Sequence, residues 1–246
     1  MEWSDEAFVL SARVHGENAA IVVLLTRERG RHAGLVHGGL SSGKRGLYQA
    51  GNRLRVQWRA RLAEHLGNYQ AEMLQPNAAL ALDDPLRLAG LASACAIADA
   101  ALPEREPHAS IFDGFAALGM AMESPGWPLI YVRLELGLLQ ELGFGLELDR
   151  CVLTGASDDL AFVSPKSGRA VSLAASGPYK EKLLPLPPIL AGGRRQHWQP
   201  ADYIAGLELT GYFLERHVFW PHGKTLPPAR SRLIDRLRDM TTISSS

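Results

Sequence analysis

The chain has 246 residues, 46% hydrophobic and 21% charged, a composition that predicts a folded globular protein of one large or two small domains. No apolar run approaches the roughly 20 residues of a membrane helix. Two distant cysteines, Cys95 and Cys151, give no disulfide framework, and the acidic opening at residues 1–6 lacks the pattern of a secretory signal, so the expectation is a cytoplasmic protein. The 26 basic and 26 acidic residues cancel overall but not locally: residues 1–76 carry 10 against 7 (+3), residues 77–149 carry 3 against 11 (−8), and residues 150–246 carry 13 against 8 (+5). Such asymmetry attracts polyanions even when the total is zero.

The first 75 residues are β-rich. Strands are predicted at residues 7–14, 19–26 (with Ile21, Val22 and Val23), 31–36, 53–61 and 68–74, separated by turns at residues 15–18 and 27–30 and by a glycine-rich loop at residues 38–46. Residues 53–61 alternate strictly, with Leu54, Val56 and Trp58 on the inner face and Arg53, Arg55, Arg59 and Arg61 on the other. Five short strands in this length match a five-stranded OB-fold, with an SH3-like barrel as the competing reading. Beyond Pro76 the pattern turns helical. Asp83-Asp84-Pro85 is a cap followed by proline at the first helical position. Further helices are predicted from Pro107, from Pro128, across residues 200–220, and in a basic C-terminal stretch through Arg230, Arg232, Arg236 and Arg238. The predicted class is α+β: a barrel at 1–76, a helical domain at 77–148, a loop-rich insertion at 149–198, and C-terminal helices at 199–246 packing on the helical domain.

Residues 27–61 hold Arg27, Arg29, Arg31, Lys44, Arg45, Arg53, Arg55, Arg59 and Arg61 against one acid, Glu28. These nine are the candidate nucleic-acid-binding residues, because a phosphate backbone recruits clustered cations whatever its sequence. Tyr48 beside the loop is a candidate base-stacking residue. Cys151 and Thr154, followed by Ser172 and Ala175, have the Cys-x2-Cys…Cys-x2-Cys spacing of a zinc ribbon with one cysteine left, so no metal is predicted. The eight histidines form no metal or catalytic motif, and neither a phosphate loop nor a nucleophile elbow is present. No catalytic residue and no cofactor is predicted.

Residues 5–10, 15–17 and 25–30 with the loop at 38–45 resemble the N-terminal barrel of the RecO family of recombination mediators. Residues 133–139 with Leu142-Gly143-Phe144 resemble that family's helix leading to its ribbon, and residues 148–151, 162–172 and 178–179 resemble the ribbon itself in members lacking the full cysteine set. The resemblance implies an OB-fold, a helical domain and a degenerate zinc-ribbon-like insertion. It further implies DNA repair and recombination without enzymatic chemistry: binding of single- and double-stranded DNA, strand annealing, a complex with RecR, contact with the C-terminal tail of single-stranded-DNA-binding protein, and loading of RecA, with location in the cytoplasm at the nucleoid. From fold and charge alone an OB-fold RNA-binding factor is the alternative, separable by the 2′-hydroxyl.

Overall fold

The structure is a computed structural model and describes residues 1–38, 46–192 and 197–243. Its first 75 residues form a closed barrel of β1 (Glu2–His15), β2 (Ala19–Thr26), β3 (Gly30–His37), β4 (Arg53–Arg59) and β5 (Asn68–Gln75), in the order β1-β2-β3-β5-β4. This is the OB-type barrel the alternation predicts. Strand β1 is 14 residues long, against the eight predicted, because it serves two neighbours. Residues 2–8 pair with β4 and residues 7–15 with β2, with a bulge between Val9 and Ser11 where the strand bends from one to the other. The β3–β5 seam is narrow and parallel, with the one paired position Leu35↔Asn68. Ala7, Val9, Val22, Leu24, Val36, Leu54, Val56 and Trp58 fill the interior, the inward half of each period-two pattern.

Helices follow. After α1 (Asn77–Leu80), α2 (Pro85–Ala101) starts as predicted, with the Asp84 carboxylate accepting from the backbone N–H of Leu86 at 2.9 Å and of Arg87 at 3.1 Å. It packs on β1, where the Cys95 thiol donates to the Val9 carbonyl, and burial pushes that thiol up to about 12. Helix α3 (Ala109–Ala121) presents Phe112 and Phe115 to Phe8 of β1, with ring centroids 5.0 and 5.5 Å away. Residues 1–124, with 227–233, form one compact unit. The four segments read from the sequence divide the chain by element type; the compact units instead group α1–α3 with the barrel.

The second unit comprises the described residues of 125–226 and those from Ile234 onward. Helices α4 (Trp127–Glu141) and α6 (Pro200–Phe213) pack together around a buried carboxylate, Glu135, which accepts from the Tyr131 hydroxyl at 2.9 Å and from the Thr210 hydroxyl. Between them lie β6 (Leu160–Val163), β7 (Ala170–Ser172), the short α5 (Leu173–Ser176) and β8 (Leu184–Pro185), the strands forming a small sheet ordered β7-β6-β8. The single helix predicted over residues 200–220 is not uniform. After Phe213 the backbone widens to a π-helix at Leu214–Phe219 and then tightens to a 3-10 turn at Trp220–His222, where Pro221 lacks a donor for the ladder. Helix α7 (Pro228–Ile243) is last, and its Arg230, expected among the basic side chains, is buried.

Candidate nucleic-acid interface

The nine cations of residues 27–61 separate into three groups. Lys44 and Arg45 lie outside the described residues. Arg27, Arg31 and Arg53 are taken up by carboxylates. Arg27 reaches Asp113 at 2.5 Å and lies over the Phe112 ring at 4.9 Å. Arg31, half-buried, reaches Asp99 at 2.8 Å and Glu104 at 3.1 Å. Arg53 reaches Glu6 at 2.6 Å while resting on Phe8 and Phe112, its buried Nε having no partner among the described residues. Two separate fields, one basic and one acidic, are therefore not what folds: Asp99, Glu104 and Asp113 from the −8 segment neutralise Arg27 and Arg31 of the basic run.

Arg29, Arg55, Arg59 and Arg61 are exposed and form no ion pair among the described residues. Alternation does aim Arg55 and Arg59 outward, but β4 stops at Arg59, so Arg61 sits in the β4–β5 loop and does not share the strand face expected of it. On the outer face Arg55 is flanked by Glu6 and Glu72 and Arg59 by Glu2 and Asn68. Tyr48 is not available for stacking: it is 4% exposed, in the barrel core, and burial pushes its hydroxyl up to about 12.

One end of the barrel carries a feature that charge counting did not reveal. Register places Trp3, Trp58 and Tyr69 in a row across β1, β4 and β5, and His32 of β3 completes the ring. Trp3 stacks on Trp58 with centroids 5.5 Å apart and planes 19° from parallel, while His32 meets both edge-on at 5.2 Å. The Tyr69 hydroxyl bonds His32 Nδ1 at 2.7 Å. Burial, then the nearby Arg105 charge, lower the His32 pKa to about 4, so the ring is neutral at pH 7. Arg105 has φ +61° and donates to the carbonyls of Ala63, Glu64 and His65, tying down the β4–β5 loop. Its backbone N–H bonds the Arg31 carbonyl. Gly30 is required where this segment crosses, since a Cβ there would lie 1.7 Å from the Glu106 carbonyl oxygen. A cavity of about 360 Å³ opens over the aromatic ring. Alternation along residues 3, 5, 7 and 9 marks Trp3 as inward-facing; nothing in the sequence announces Arg105.

In the second unit, Cys151 is buried and accepts from the Ser172 backbone N–H at 3.3 Å and the Ser172 hydroxyl at 3.5 Å. Burial pushes the thiol up, but these bonds, with Thr154 and the Leu153 backbone, more than offset it and hold it at about 6. Among the described residues no three His, Cys, Asp or Glu are placed to hold a metal. Leu173 and Tyr179 of this insertion are 48% and 63% exposed. Val163, Ala170, Val171 and Leu186 are buried.

An OB-type barrel with exposed arginines, joined to a helical unit, defines the architecture, and two family profiles account for it. The one described as "Recombination protein O N terminal" matches residues 1–77, and "Recombination protein O C terminal" matches residues 82–226. The chain is similar to proteins named DNA repair protein RecO from Rhodospirillum centenum (53% identical, 99% of this chain and 98% of the relative), Caulobacter sp. strain K31 (50%, 96% and 98%) and Rhodospirillum rubrum (46%, 97% and 97%). The chain belongs to the RecO family, and with it to DNA repair and recombination. No helix among the described residues is long and apolar enough to cross a membrane.

Proposed function

We propose that this chain is a non-enzymatic recombination mediator that binds single- and double-stranded DNA through its barrel, anneals complementary strands, and acts with RecR to load RecA onto strands covered by single-stranded-DNA-binding protein. The observation carrying this reading is the set of exposed arginines on the barrel, Arg29, Arg55, Arg59 and Arg61, that form no ion pair among the described residues, with Lys44 and Arg45 of the same basic run as further contributors. Such groups meet phosphates without reading bases. Annealing of complementary oligonucleotides, with and without single-stranded-DNA-binding protein, tests it: faster annealing, lost in an Arg55/Arg59/Arg61→Ala variant, supports the reading, and annealing at the spontaneous rate refutes it.

The acidic, apolar tail of single-stranded-DNA-binding protein needs an apolar groove beside a cation. Support for such a site comes from the cavity of about 360 Å³ lined by Leu184, Leu186, Pro187, Leu209 and Tyr212, whose one acid, Glu208, is paired with Arg238 at 3.8 Å. Beside it the exposed Arg216 donates to the Tyr212 hydroxyl at 3.1 Å. Tail-peptide binding that Arg216→Ala weakens is the expected result. A peptide that fails to bind at low salt removes this contact from the proposal.

A further inference from the structure

The pocket over the aromatic ring has the features of a base site rather than a phosphate site. Its floor is Trp3 stacked on Trp58, with His32 as an edge-on wall. Arg29 and Arg105 line it, but so do Glu2 and Glu28, so its charged side chains cancel, and the Met1 amino group, also in its lining, is engaged by the Ala60 carbonyl at 2.6 Å. The volume of about 360 Å³ lies at the small end of ligand cavities. The exposed Arg29 guanidinium rests 5.9 Å from the centre of the Trp3 ring, on a turn from which it can swing away. A planar cation over an indole occupies the position in which a base would stack.

We propose that this pocket receives one unpaired nucleobase of a single-stranded nucleic acid, which stacks on Trp3 while Arg29 moves onto the adjoining phosphate. The inference rests on the DNA-binding reading above and gives it a second component. Exposed arginines at the same end, Arg59 closing β4 and Arg61 in the β4–β5 loop, hold the backbone. The pocket holds one base out of the strand, and strained Arg105, by pinning that loop, keeps its mouth in shape. Any base has a face to stack, so the site takes unpaired strands without selecting a sequence. A base in a duplex is already stacked and cannot enter without being flipped out.

A comparison of two chains of equal charge isolates the base. Affinities are measured for a short oligothymidylate and for an abasic deoxyribose-phosphate chain of the same length, at two salt concentrations. The expected preference of the native protein for the oligothymidylate is about tenfold or more, the scale of one stacked base. Trp3→Leu should abolish that preference without changing the salt slope, and Trp3→Phe should retain most of it. Because Trp3 also packs on the barrel core, the native protein is tested as well by photocross-linking with 5-iodouracil oligonucleotides, which should join the strand to Trp3. Equal affinity for both chains, or a cross-link map lacking Trp3, overturns the pocket and leaves backbone binding intact. Failure to bind either chain overturns backbone binding and the pocket with it.

Discussion

Arg31 of β3 and Asp99 of α2 meet at 2.8 Å, joining the basic run of residues 27–61 to the acidic segment 77–149. The other Asp99 oxygen accepts from the Ser11 hydroxyl of β1, also at 2.8 Å, so one carboxylate ties the helix to two strands of the barrel. Both partners are partly buried, which lifts this pair above the surface ion pairs that contribute little. Asp99→Ala is expected to cost about 1–2 kcal/mol in urea unfolding, and Asp99→Asn about half of that. No measurable change would mean that the helix is held to the barrel by apolar contacts alone.

The partition of arginines separates affinity from stability. Replacing Arg55, Arg59 and Arg61 by Ala should make the dependence of log affinity on log salt for single strands shallower by about 2, at roughly 0.7 per phosphate, with unfolding nearly unchanged. Replacing Arg27 and Arg31 should do the reverse, lowering stability and sparing the slope. Anisotropy titrations over a salt series decide it; a loss of slope from the second pair would place them in the interface.

His32 gives the barrel a pH dependence of defined sign. Its folded pKa, lowered to about 4 by burial first and Arg105 second, lies below the ordinary 6.5. Between these values the unfolded chain takes up a proton that the folded chain refuses. Stability is therefore lost as pH falls from about 6.5 towards 4 and regained as it rises, by at most about 3–4 kcal/mol. His32→Phe should flatten this part of the profile, measured as the difference between variant and native protein. Parallel profiles would show that other groups carry it.

Purified protein is expected to carry no stoichiometric zinc, because Thr154, Ser172 and Ala175 stand where a ribbon would need cysteines. Cys151→Ser should cost only roughly 1 kcal/mol. One zinc per chain after chelator treatment, by elemental analysis, would contradict this.

The buried Glu135 depends on its donors. Thr210→Val removes a hydroxyl from a carboxylate that is 1% exposed, and is expected to cost about 2–3 kcal/mol in thermal or urea unfolding. A near-neutral result would show that Tyr131 and the remaining environment satisfy the carboxyl oxygens.

How far the sequence could be read follows from what each pattern encodes. Alternation gave the five strands and the inward side of Leu54, Val56 and Trp58, because facing is a local property. It could not give what stands opposite a side chain. Arg31 finds its acid at position 99 and Arg27 at position 113, and that pairing exists only once α2 and α3 lie against the barrel. Counting charge along the chain therefore overstated the free cations. Arg61 was misplaced because alternation runs on past the point where β4 ends. Tyr48 resembled a surface aromatic because a neighbouring glycine-rich loop says nothing about burial. The pocket is not visible in any local pattern, because Trp3, His32, Trp58 and Tyr69 come from four strands.

Strand β1 is held along one side by β4 through its first residues and by β2 through the remainder. Deleting residues 1–6 would thus unzip a cylinder and leave β4 with a free row of donors and acceptors, an adhesive border that recruits other chains. A bulky group joined just ahead of Glu2 would press on that same border and on Trp3.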